Sequence, residues 1–88
     1  MKNPVRFQEL GAGGVPLSSL LPGEQGRIIA VGMGAGRQHH FRQMGLREGK
    51  IVTVIATQPA RGPFVLEIEG AQIAIGRGMA MHILVEKI

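Results

Sequence analysis

Cysteine, tryptophan, tyrosine and aspartate are all missing from this 88-residue sequence. Without cysteine there is neither a disulfide framework nor a thiolate metal site, so packing must hold the fold, as suits a reducing cytosol. Without Trp or Tyr, the aromatic groove that grips proline-rich peptides cannot be built. Three Phe are few, and those at core positions are poor platforms for stacked bases. Ser18 and Ser19 stand in a capping context with no nearby base, and the six Glu fall mostly on strand faces and turns, so no catalytic pair forms. No apolar run approaches the roughly 18–20 residues that span a bilayer, and the N-terminus lacks the hydrophobic core of a signal peptide. The expectation is a soluble, cytoplasmic protein that is not an enzyme.

What the chain does have is glycine and positive charge. Ten Lys and Arg stand against six Glu, a formal net charge of +4, and 14 residues are Gly. Such a balance favours an anionic partner, whether nucleic acid, an inner-leaflet surface or an acidic protein face. The basic residues are Lys2, Arg6, Arg27, Arg37, Arg42, Arg47, Lys50, Arg61, Arg77 and Lys87. They are scattered rather than clustered, so a merely solvated surface explains them equally well.

The organising stretch is residues 40–70. Phe41 and Met44, three apart, share a helical face, and Gly45 directly after them is placed to enter the left-handed region and stop a helix over residues 37–44. Leu46 then folds back onto that helix, and Gly49 opens the next strand. Residues 51–57 are β-branched and read as a central strand buried on much of both faces. From Phe64 the chain alternates, with Phe64, Leu66 and Ile68 on one face and Val65, Glu67 and Glu69 on the other, as in a half-buried antiparallel strand. Gly70 supplies a turn to a hairpin partner over residues 71–75.

Around this centre, residues 1–16 read as a flexible tail, because their Gly and Pro content and lack of apolar periodicity cannot offset the entropy of ordering. Residues 17–88 form the folded domain. Leu17 to Leu21 reads as one helical turn, capped by Ser18 or Ser19, that plugs the core with Leu17, Leu20 and Leu21 before Pro22-Gly23 bends the chain. Residues 26–31 read as a strand between glycines, 76–81 as a single helical turn, and residues from 83 as a closing strand. Five short, curved strands around one core define a mainly β fold with short helices, a small five-stranded SH3-like barrel whose closure hides its edges.

Metal and nucleotide chemistry find little support. His39 and His40 are adjacent on the helix and point about 100° apart, so they cannot chelate one ion, and His82 has no companion ligands. Gly32-x-Gly34-x-Gly36 lacks the Lys-Ser/Thr of a phosphate loop and any βαβ context. No cofactor, metal ligand or catalytic residue is assigned.

Gln43-Met44-Gly45-Leu46-x-x-Gly49, Val52-x-Val54, Pro59-x-x-x-Pro63, Glu69-Gly70, Ile73-Ala74-Ile75-x-Arg77, Ala80 and Ile83-x-Val85 occur here in an order and spacing that resemble the FeoA family of ferrous-iron transport accessory proteins. The resemblance runs over residues 17–86. It departs at His40-Phe41, where the family commonly has Arg-Leu, at Glu48, often Pro, and at Gly62, frequently Asp. It implies a cytoplasmic SH3-like domain that acts by protein contact on the cytosolic side of FeoB, a GTP-dependent membrane transporter of Fe(II).

Candidate partner-binding residues are Arg42, Arg47, Arg61 and Arg77, whose guanidinium groups suit acidic groups on a partner. Met44, Leu46 and Met79 join them, although Met44 and Leu46, like Phe41, are more often core than contact, and at least one of Met79 and Met81 should face outward as an adaptable contact. Homo-oligomerisation is left open. Two other readings stand beside this one: a basic barrel binding nucleic acid, disfavoured by the aromatic count, and a stand-alone relative of the SH3-like domain of iron-dependent repressors, which require DNA-binding and dimerisation helices for which 88 residues leave no room.

Overall fold

The turn between two neighbouring strands shows how local chemistry sets the sheet. Phe64–Ile68 (β4) and Ala71–Ile75 (β5) pair in unbroken antiparallel register from Phe64↔Ile75 to Ile68↔Ala71. Glu69 and Gly70 alone connect them, at φ 52° and 87°. Two positive φ values in a two-residue loop make a type I′ turn, whose twist matches that of the strands it joins. Glycine accommodates this at Gly70, whereas Glu69 bears the left-handed conformation with a side chain.

The computed structural model describes residues 14–32, 35–58, 60 and 62–88. Gly14–Pro16 (β1) leads into a 3-10 turn at Leu17–Ser19, then Gln25–Val31 (β2), the helix Ala35–Gln43 (α1), Ile51–Thr57 (β3), β4, β5, a one-turn helix Arg77–Ala80 (α2) and Ile83–Lys87 (β6). One antiparallel sheet takes them all in the order β1-β6-β2-β3-β4-β5. Register shifts between Ile28 and Ala30 and between Val54 and Ala56 bulge β2 and β3 and let the sheet curl around its apolar face.

The SH3-like class stands, with six strands rather than five. The extra one is β1: residues 14–16, read as tail, pair with residues 84–86 of β6. The rest of that tail lies outside the described residues. Nor does the hydrogen-bonded ladder close, since β5 and β1 end it unpaired with each other. The wrap is completed instead by side chains converging on one core, including Leu17, Leu20, Phe41, Leu46, Val52, Val54, Phe64, Leu66, Ile75 and Val85.

The helix stop follows its expected chemistry. Gly45 lies at φ 88°, its N–H donates to the Arg42 carbonyl at 3.0 Å, and the Leu46 N–H donates to the Phe41 carbonyl at 2.9 Å. These two bonds make a Schellman motif, in which Leu46 packs back beside Phe41. Phe41 is the buried residue among the described side chains of α1, and it anchors the helix to the core.

Three details differ from expectation. The turn at Leu17–Ser19 is not capped by serine; the Ser19 hydroxyl donates to the Pro16 carbonyl at 2.7 Å. Leu17 and Leu20 are buried, but Leu21 is 64% exposed, because the following bend needs its N–H for the Glu24 carboxylate, 2.8 Å away. Gly26 is inside β2 rather than at its boundary: a Cβ there would stand 2.8 Å from Val85 Cγ2, so the strand passes β6 closely only with a glycine.

Candidate docking surface

The charged surface divides into pairs that neutralise each other and residues that do not. Arg27 lies 3.6 Å from Glu86, Lys87 lies 2.9 Å from Glu24, and Lys50 hydrogen-bonds Glu69. The Lys50 hydrogen bond holds the Glu69 carboxyl below its ordinary range, and the Leu21 N–H, followed by Lys87, does the same for Glu24. These cations are spent within the molecule. The Lys50–Glu69 pair closes one side of an open groove of about 510 Å³, lined also by Gln25, Ile51, Thr53 and Glu67. Gln25 Nε2 donates to Thr53 Oγ1 across its floor at 2.9 Å.

Arg77 behaves differently. It opens α2, two residues beyond β5, and its guanidinium carbon lies 5.0 Å from the centroid of the Phe64 ring. That ring is itself buried in the core. The cation is thus stacked on a fixed aromatic face, a contact that both attracts and orients it. Its Nε is buried without a hydrogen-bond partner, and among the described residues no carboxylate pairs with it. Its terminal Nη groups enter none of the described side-chain hydrogen bonds, and a planar fork held in place suits bidentate recognition of a carboxylate through them.

The other candidates separate by burial. Arg42 and Arg47 are exposed on either side of Gly45 and join none of the described ion pairs, and Arg61 lies outside the described residues. Leu46 is 0% exposed and is a core residue, because the Schellman motif folds it inward; it has no surface to offer a partner. Met44 and Met79 are half-buried against the core, whereas Met81 is 56% exposed and is the outward methionine of α2. The candidates therefore fall into two groups, the helix stop and α2, which share a core but no hydrogen bond or ion pair among the described residues.

Ile51 and Ile55 were missed. They are 43% and 39% exposed, so β3 buries one face and not two. Thr53 between them is the signal: it marks a 51-53-55 face that solvent reaches, opposite Val52 and Val54. His39 and His40 are exposed, and among the described residues no three of His, Cys, Asp and Glu gather into a metal-binding group.

A curled SH3-like sheet carrying two short helices, with a guanidinium stacked on a core ring beside its edge strand, defines the fold class of this chain. The comparisons place it further. Residues 15–87 match the family model described as the FeoA domain, and the chain belongs to that family. It is 37% identical over 71 residues to an Fe(2+) transport protein A of Methanocaldococcus jannaschii, a match covering 81% of this chain and 84% of the relative. The crystal structure of an iron uptake regulatory protein, FeoA, superposes with a TM-score of 0.80 at 32% identity, covering 85% of this chain and 99% of the other. A manganese-dependent transcriptional repressor shares the fold with a TM-score of 0.77 at 18% identity, over 85% of this chain and 42% of the repressor. The family is involved in Fe(2+) transport.

Proposed function

We propose that this protein is a non-enzymatic accessory factor of ferrous-iron uptake that works by binding the cytosolic side of a FeoB-type, GTP-dependent membrane transporter. Iron is the cargo of that transporter. The observation that carries this reading is Arg77, stacked on Phe64 with its Nε unpaired, in a chain of net charge +4 that belongs to a ferrous-iron transport family. No described helix is long and apolar enough to cross a membrane, which fits a partner that docks on a transporter from outside the bilayer. Arg42 and Arg47, exposed beside the helix stop, and Met81 on α2 widen the contact.

Nucleic acid fits less well. Phe41 and Phe64 are 0% and 1% exposed, so neither offers a face for base stacking. The test is capture of the detergent-solubilised transporter by tagged protein. Wild type retains it, and Arg77→Glu, with an unchanged circular dichroism spectrum, lowers retention about tenfold or more, the scale of a lost charge-assisted pair. Equal capture by both proteins would refute the role given to Arg77, and no capture by wild type would refute the partner.

A further inference from the structure

We propose that the open edge of β5 is a strand-addition site for an extended, acidic segment of a partner protein, with Arg77 receiving a carboxylate at one end. The inference rests on reading the chain as a protein-docking module, but not on which protein docks.

The hairpin geometry decides which backbone groups are free. In a two-residue type I′ turn the closing pair is hydrogen-bonded, here Ile68↔Ala71, and hydrogen-bonded pairs recur at every second residue. Ala71, Ile73 and Ile75 therefore turn their N–H and C=O groups toward β4, and Gln72 and Ala74 turn theirs away. β5 ends the sheet order, and among the described residues no hydrogen bond takes those outward groups. Both residues are exposed.

Edges of this kind are normally guarded by charge, proline, bulges or brevity. The opposite edge, β1, has three residues and ends in Pro16. β5 has five residues, Ala-Gln-Ile-Ala-Ile, with no charge, no proline and no register shift. A segment laid along it gains main-chain hydrogen bonds at Gln72 and Ala74, as in other strand-addition complexes. The selection for acid comes from Arg77, two residues past the strand, whose cation has no carboxylate partner among the described residues. An antiparallel strand over β5 begins at that end, so its first residues are the ones nearest Arg77 in the chain, and an early Glu or Asp is the residue proposed to pair with it.

Amide hydrogen exchange of the labelled protein tests this, with a capped synthetic peptide of alternating Val and Thr headed by two Glu as the probe. In the free protein the Gln72 and Ala74 amides exchange rapidly, and saturating peptide slows both about tenfold or more. A version headed by Lys binds about tenfold more weakly, and Arg77→Gln removes that preference. Ala74→Pro abolishes protection of Gln72, and its missing N–H is one that no ladder bond uses. Should that variant not fold, the same Glu-headed peptide N-methylated at alternate residues must lose binding to the wild-type protein.

Slow exchange of Gln72 and Ala74 in free protein would overturn the proposal. Its growth with protein concentration would identify a second copy of this chain on the edge. Protection appearing in the Gly49–Thr53 groove instead would also overturn it. Peptide protection without transporter capture removes the transporter and keeps the edge; transporter capture untouched by Ala74→Pro does the reverse.

Discussion

The two ends of β5 handle charge in opposite ways. At its start, Glu69 sits in a left-handed turn and is hydrogen-bonded by Lys50, so acid and base are both satisfied in an exposed corner. At its far end, Arg77 is pressed onto a core aromatic ring and holds a buried Nε with no partner. A solvent-exposed pair of the first kind contributes little and draws nothing to itself. A desolvated donor of the second kind costs stability for as long as it stays unpaired. Charge is thus concealed at one end and kept available at the other.

The contrast can be broken most severely at Phe64. Phe64→Ala empties a site that is 1% exposed, and should cost about 3–5 kcal/mol in denaturant unfolding while freeing the Arg77 head group. Arg77→Met should change stability by less than about 1 kcal/mol, because losing the stacking on Phe64 offsets relief of the orphaned Nε, even as partner capture falls. Lys50→Met, at the concealed end, should lower stability by less than about 1 kcal/mol and leave capture unchanged.

The smallest effect is the dependence on pH. The Lys50 hydrogen bond to Glu69 and the Leu21 N–H to Glu24 hold both carboxyls below the ordinary glutamate range in the folded protein, so the stability they contribute is present above that range and is lost as pH falls through their folded pKa values. Thermal melts should therefore drop in acid below that range. Lys50→Met should flatten part of that drop, whereas Arg77→Met should leave its shape alone, because Arg77 faces no carboxylate among the described residues.

Much of the architecture was legible because the signals were local. The Gly45 stop, the Gly49 turn, the alternation of β4 and the span of β5 each depend on residues within one turn or one strand of each other, and the structure places them as expected. The docking surface was legible only by residue type. Arg77 was marked as a spare guanidinium, but its stacking on Phe64 joins positions 13 apart in sequence through the β4–β5 hairpin. Leu46 was read as core more than contact, although an apolar residue past a helix stop serves either way; the hydrogen bond to Phe41 folds it inward. β1 escaped notice because three residues with Gly and Pro carry no strand pattern, and only β6 beside them makes them one.

By itself, the sequence determined a small barrel held by packing: it offers no cysteine to staple the chain, enough alternating apolar residues for one core, and glycines where the backbone must turn left-handed. It also determined the net positive charge and the poverty of catalytic groups. Which cations are neutralised, which strand ends the sheet, and where an unpaired donor lies against an aromatic ring were decided by the tertiary structure alone. Those properties belong to distances between residues far apart in the chain, and strand register sets them where local propensity cannot.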